Sequence, residues 1–137
     1  EDLLRYAYEE TDSFTEAEIA HAVGQDEVLQ EELFAIAVLG EMLELGPWAE
    51  PLHREVGNYV AVSGLDVLVG IRGAACHMLD AAKRAGLQVG AAFFCETSPE
   101  AGRLVRTIAQ PGDAVLFKGS RGVRVEQAVE AFLEGRQ

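Results

Sequence analysis

Apolar positions fall into short solid runs, separated by longer stretches in which they recur every three or four residues. Ala35-Ile36-Ala37-Val38-Leu39, closed by Gly40, is such a run; its length and terminal glycine predict a buried strand. Leu65-Asp66-Val67-Leu68-Val69 before Gly70, Val89 to Phe94, and Ala114-Val115-Leu116-Phe117 predict three more. The intervals read as helices. Pro51 opens one that carries Leu52, Val56, Tyr59 and Val60 on one face. Gly73 to Ala85 makes the next, with Met78, Leu79 and Ala82 inward and Gly86 as its C-cap. Ser98-Pro99-Glu100 combines a cap, a first-turn proline and an early acid, and Ala101, Leu104, Val105 and Ile108 follow on one stripe. Gly46-Pro47 and Pro111-Gly112-Asp113 mark turns, and Val125 to Leu133 is the last helix, ended by Gly135.

Strands that alternate with helices of about ten residues imply right-handed βαβ units. The expected fold class is α/β: Rossmann-like, a mostly parallel sheet with helices on both faces. Ligands of such sheets sit outside the carboxyl ends of the strands. Three of those ends carry polar chemistry: Gly40-Glu41-Met42, Gly70-Ile71-Arg72, and Lys118-Gly119-Ser120-Arg121.

Residues 1–34 break the rhythm. They read as helical without a clear strand. Ser13-Phe14-Thr15-Glu16 fits a capping box, Gly24 is a stop, and Asp26 caps a second helix bearing Val28, Leu29 and Leu33. Charge marks the same seam near Phe34: residues 1–34 hold 11 acids and one Arg, residues 35–137 hold 12 acids and 10 bases. The expected organisation is therefore an acidic helical segment, 1–34, ahead of one domain, 35–137. The N-terminal Glu1-Asp2-Leu3-Leu4 lacks a Met, which suggests an excised or processed piece.

A net charge of −12 argues against nucleic acid, whose binders draw most of their affinity from phosphate neutralisation. It argues equally against an anionic membrane surface. No apolar run reaches the ~18 residues of a membrane span, and no basic-then-apolar leader opens the chain, so nothing suggests secretion. Cys76 and Cys95 are too few for a disulfide framework and read as free, half-buried thiols.

Lys118-Gly119-Ser120-Arg121-Gly122 follows a strand and precedes a helix. Two cations, a hydroxyl and permissive glycines beside a helix N-terminus suit a carboxylate or phosphate. A basic turn that merely caps the helix, with Arg121 paired to Glu126, fits the same residues. The Gly-x-x-x-x-Gly-Lys-Ser/Thr spacing of a P-loop and the dinucleotide Gly-x-Gly-x-x-Gly are both missing. Glu41 and Glu44, after the first strand, could reach a metal or a partner cation, or line a solvated loop while Met42, Leu43 and Leu45 pack down. His53 reads as a surface or capping residue; His21 and His77 have no partner at metal-ligand spacing. Trp48 is expected to pack its loop onto the sheet. No serine or cysteine nucleophile has an evident base, so no catalytic residue is assigned.

Two of these segments together resemble the C-terminal domain of MurF-type Mur ligases. Ile36-Ala37-Val38-Leu39-Gly40-Glu41-Met42-Leu43-Glu44-Leu45-Gly46, then His53-Arg54-Glu55-Val56-Gly57, is similar to its opening. Pro111-Gly112-Asp113 through Lys118-Gly119-Ser120-Arg121 is similar to its late segment. The resemblance spans residues 35–135. The family usually has Asp where Glu41 stands. Its Asp-x-Tyr-Asn-Ala-x-Pro segment is matched only by Asp12-Ser13-Phe14, with Thr15-Glu16-Ala17-Glu18 in place of the rest.

The resemblance implies a cytoplasmic, ATP-dependent amide ligase that adds D-alanyl-D-alanine to a peptidoglycan precursor. A central domain with the P-loop and magnesium would make an acyl phosphate; this domain would bring the dipeptide and swing shut, a lid motion. The chain then needs no cofactor of its own, ATP and magnesium belong to the full-length ligase, and the chain is inactive alone. Lys118, Gly119, Ser120 and Arg121 would bind substrate, with Gly40, Glu41, Glu44, His53 and Arg72 at the site edge. Two other readings stand beside it: a standalone or engineered Rossmann-like domain without activity, and the C-domain of a related amide ligase such as a folylpolyglutamate synthase.

Overall fold

The structure, a computed structural model, describes residues 5–10 and 34–134. In chain order the elements are β1 (Arg5–Glu10), β2 (Ala35–Gly40), α1 (Ala49–Val62), β3 (Val67–Ile71), α2 (Ala75–Arg84), β4 (Ala92–Cys95), α3 (Ser98–Ile108), β5 (Ala114–Gly119) and α4 (Glu126–Leu133). Short 3-10 turns lie at Gly46–Trp48, Val89–Ala91 and Arg121–Val123. The strands form one parallel sheet in the order β1-β5-β2-β3-β4.

The solid apolar runs are explained by burial on both faces. In β2 the pleat sends Ile36 and Val38 to one side and Ala37 and Leu39 to the other. On the first side they meet Val67, Val69, Ile71, Val115 and Phe117 under α3 and α4; Phe117 and Phe132 are tilted rings 5.5 Å apart. On the second side Ala37, Leu39 and Leu68 lie under α1 and α2, with Val56, Val60, Met78 and Leu79. An alternating polar face would have left one of these layers without a partner.

Each helix pair closes over a glycine. A Cβ on Gly57 of α1 would strike the Met78 carbonyl in α2, and one on Gly102 of α3 would strike the Ala128 carbonyl in α4. The two helices of each layer therefore touch backbone to backbone.

Three expectations change. Residues 5–10, expected within a helical segment, form a strand that pairs along β5 from Arg5–Ala114 to Glu10–Gly119. The edge of β5 offers a row of backbone partners, and Tyr6 and Tyr8 at period two suit a strand. The remainder of the expected helices, with caps at Ser13 and Asp26, and His21, lies outside the described residues. The face of α1 is turned by one position: its buried residues are His53, Val56, Gly57 and Val60, while Leu52 is exposed. At α3 the cap is Thr97, whose hydroxyl accepts from the Glu100 N–H at 3.3 Å. Ser98 instead is buried and donates to the Val123 carbonyl at 2.7 Å, tying α3 to the turn after β5.

Gly57→Ala and Gly102→Ala are expected to destabilise the fold by about 1–3 kcal/mol each, the cost of overpacking a rigid contact. Gly90→Ala, where a Cβ meets open space, is the control. Urea unfolding midpoints check this; equal midpoints for the three variants would count against the backbone contacts.

Candidate functional site

The carboxyl ends of β2, β3 and β5 lie side by side, and their loops lock together. Glu41, the first residue after β2, spans the gap. Its Oε1 accepts from Arg72 Nε at 3.1 Å and its Oε2 from the Ala74 N–H at 3.0 Å. Arg72, just past β3, also donates from Nη1 to the Gly122 carbonyl at 3.3 Å. One carboxylate and one guanidinium thus connect three strand ends. Ala74 gives α2 no side-chain cap, so Glu41 supplies that function from across the sheet, where a negative charge is favoured. A Cβ at Gly73 would fall on the Glu41 carboxylate, so any side chain there would have to displace it.

Backbone strain concentrates at the same end. Among the described residues, the non-glycine positions with left-handed φ are Glu44 at 62°, Arg72 at 74° and Arg124 at 60°, all in loops that leave the carboxyl ends of β2, β3 and β5. The turns that enter strands use glycine for this conformation: Gly64, Gly86 and Gly112. A left-handed arginine costs of order 1 kcal/mol or more, so at the carboxyl end a side chain is retained at the expense of backbone comfort.

The turn after β5 packs down through apolar contacts. Val123 and Val125 cover Gly40 and Gly119, where any Cβ would collide with them. Within Lys118-Gly119-Ser120-Arg121, only Arg121 is exposed. Lys118 is 0% exposed and lies in register between Leu39 of β2 and Glu9 of β1. The Ser120 hydroxyl is buried and finds no hydrogen-bond partner among the described residues. An open basic edge of four residues was expected; the structure presents Arg121, with Arg72 beside Gly122, and keeps Lys118 and Ser120 behind them.

Below the β2 loop sits His53, expected at the surface and found fully buried. Nε2 accepts from the Met42 N–H at 2.9 Å, and Nδ1 donates to the Ala49 carbonyl at 2.6 Å. Burial pushes its pKa down, against the Ala49 hydrogen bond and the Glu41 charge. Met42, Leu43 and Leu45 pack inward as expected. Trp48 does not: it is 66% exposed. Glu44 is exposed and stands outside the Glu41–Arg72 cluster. Sequence reasoning missed Gly73 and Ala74, whose role depends on a carboxylate from another strand. The only local signal was Gly73 following Arg72.

Among the described residues no three of His, Cys, Asp and Glu gather to hold a metal ion, and no helix is long and apolar enough to cross a membrane. Cys76 is exposed and Cys95, at the end of β4, is buried; neither is half-buried as expected.

Comparison with known proteins bears on the family and the fold. The family model for the Mur ligase, glutamate ligase domain, matches residues 15–121, beginning twenty residues earlier than the resemblance read from the sequence. UDP-N-acetylmuramoyl-tripeptide--D-alanyl-D-alanine ligase of Synechocystis is 35% identical over 98 residues, 72% of this chain and 21% of that protein. The ligases of the same name from Escherichia coli and Bacillus subtilis are 30% and 29% identical, over 74% and 71% of this chain. The chain therefore spans about a fifth of the length of these relatives, 21% in each. MurF from Acinetobacter baumannii superimposes with a TM-score of 0.70 at 24% identity, over 89% of this chain and 26% of that one. MurF from Thermotoga maritima, solved in complex with ADP, gives 0.65 at 24%, over 88% and 26%.

Burial, and after it the Glu100 charge, pushes the Cys95 thiol up to about 11. Thiolate is the reactive form, so at neutral pH a maleimide is expected to label Cys76 and spare Cys95 until the protein unfolds. Mass spectrometry of the labelled peptides decides; a second adduct in native buffer at the rate of the first would overturn the placement of Cys95.

Proposed function

Because this chain belongs to the Mur ligase family, through its glutamate ligase domain, we propose that it is the substrate-binding and closing domain of an amide ligase that adds D-alanyl-D-alanine to a peptidoglycan precursor. The observation that carries this reading is the Glu41–Arg72 pair at the carboxyl ends of β2 and β3, bonded to the Gly122 carbonyl next to the exposed Arg121 after β5. That is where a parallel sheet receives ligands, and D-alanyl-D-alanine ends in a carboxylate.

The work of these residues is binding and orientation. The planar guanidinium of Arg121 can hold a carboxylate by two parallel N–H bonds, a geometry that an ammonium group does not provide. Arg72 adds positive charge beside it, and Glu41 keeps that charge in one place. The buried Ser120 hydroxyl, which has no hydrogen-bond partner among the described residues, is able to donate to a group that enters the turn. Holding an amine and its acceptor in one geometry is itself a large part of catalysis. ATP, with magnesium, would supply the phosphoryl chemistry from a central domain; the P-loop spacing is missing from this sequence, and no residue here is assigned to hold the nucleotide. The central domain is the partner on which this domain would close, and the cytoplasm, where such precursors and ATP meet, is the location we propose.

Two outcomes are expected. The purified chain does not turn over ATP, with or without dipeptide; chain-dependent phosphate release from contaminant-free protein would refute its assignment as a non-catalytic domain. Dipeptide titrated into the chain shifts the Arg121 Nε–H resonance, and Arg121→Lys weakens that binding by about 1–3 kcal/mol, the scale of a charge-assisted hydrogen bond. Unchanged binding together with a lower melting temperature would assign Arg121 to an ion pair such as one with Glu126 and remove it from the site.

A further inference from the structure

The cluster at the strand ends has a support beneath it that substrate binding alone does not call for. His53 reaches from α1 to the β2 loop and has both ring nitrogens committed to backbone. The Met42 N–H can only donate, so Nε2 must be unprotonated; the Ala49 carbonyl can only accept, so Nδ1 carries the hydrogen. The two partners together fix one neutral tautomer, in a place from which water is excluded.

Met42 adjoins Glu41, and the next contacts run directly into the candidate site. The Glu41 N–H donates to the Ile71 carbonyl at 2.9 Å, at the end of β3. Its carboxylate holds Arg72 and the Ala74 N–H, and Arg72 holds the Gly122 carbonyl. Arg72 keeps its left-handed backbone, φ 74°, within this set of bonds. Unbroken contact therefore runs from the interior of α1 to the turn that bears Arg121.

We propose that His53 is a pH-dependent positioning residue for this site: its neutral ring holds the β2 loop, and with it Glu41 and Arg72, and protonation of the ring releases them. The reading of the strand ends as a binding site underlies the word "site", but the readouts below need no ligand, so failure of dipeptide binding and failure of this inference are separate results.

The chemistry is a clash of donors. Protonation places an N–H on Nε2 opposite the Met42 N–H, which turns a hydrogen bond into a repulsion inside the core. Burial opposes the charge first; His77 on α2 opposes it too, while the Ala49 carbonyl and Glu41 favour it. Glu50 and Arg54 on α1 and Asp80 on α2 are the other charged groups nearby. They are engaged with one another, Arg54 with Glu50 at 3.0 Å and with Asp80 at 2.8 Å, and Glu50 lies 3.9 Å from His77. With the folded pKa below the ordinary value of about 6.5, the released form binds more protons. The held form therefore loses stability as pH falls from that ordinary value through the folded one, and regains it as pH rises.

The test is an NMR titration of the whole chain, without ligand. Ring nitrogen shifts are expected to show the Nδ1–H tautomer of His53 and a midpoint below the ordinary histidine range. The Arg72 Nε–H resonance should move at that same midpoint, while the amides of Val69 and Phe117, deep in the sheet, stay in place. His53→Gln keeps an acceptor and a donor without a titrating ring, and should abolish that step in the Arg72 signal. An Arg72 signal that ignores the His53 midpoint, a step that persists in H53Q, or sheet amides that melt at that pH would each overturn the proposal. Should H53Q fail to fold, the wild-type tautomer and the coincidence of the two midpoints still decide.

Discussion

A parallel sheet covered on both faces leaves water no side to enter, and the rest of this molecule follows from that constraint. Strands β2, β3 and β5 carry apolar residues at almost every position because Ile36 and Val38 need one layer while Ala37 and Leu39 need the other. With both faces occupied, polar chemistry can sit only at the ends of the strands. Within each layer the paired helices pack closely, because Gly57 and Gly102 let them touch along their backbones.

The two ends of the sheet are not equivalent. At the amino end, the described turns with positive φ have glycine there, at Gly64, Gly86 and Gly112. At the carboxyl end Glu44, Arg72 and Arg124 occupy the same conformation with a side chain attached. Strain kept in place by surrounding bonds is characteristic of working sites, and around Arg72 those bonds are visible: Glu41 and Gly122 hold its guanidinium, and the Cys95 carbonyl accepts from its backbone N–H at 2.9 Å. Membership of the Mur ligase family and the geometry of this end are the grounds for the proposal that the domain positions a carboxylate-bearing amine for chemistry performed elsewhere.

Much of this was legible along the chain. The four strands from Ala35 onward and the four helices between and after them followed from apolar runs, three-to-four spacing and turn glycines, since each of these is a local consequence of burial. The three polar strand ends were legible too, because right-handed crossovers bring those ends to one side. The segment before Phe34 was not. Arg5–Glu10 is a strand because β5 offers it an edge, and no local pattern among its charged neighbours announces a partner more than a hundred residues away.

What the sequence determined by itself was therefore the class of fold, the order of its elements after residue 34, and the end at which chemistry could reside. Only the tertiary structure decided what the individual polar residues do. His53 looked like a surface residue beside Arg54 and Glu55, yet it replaces Leu52 on the buried face because Met42 and Ala49 satisfy both its nitrogens. Lys118 looked like an open cation, yet it is enclosed. Glu41 looked like one of a pair with Glu44, yet its partner is Arg72, thirty-one positions on. Hydropathy is a property of each residue and can be read in order. Satisfaction of a polar atom depends on which distant group arrives opposite it, and that is known only when the chain has closed on itself.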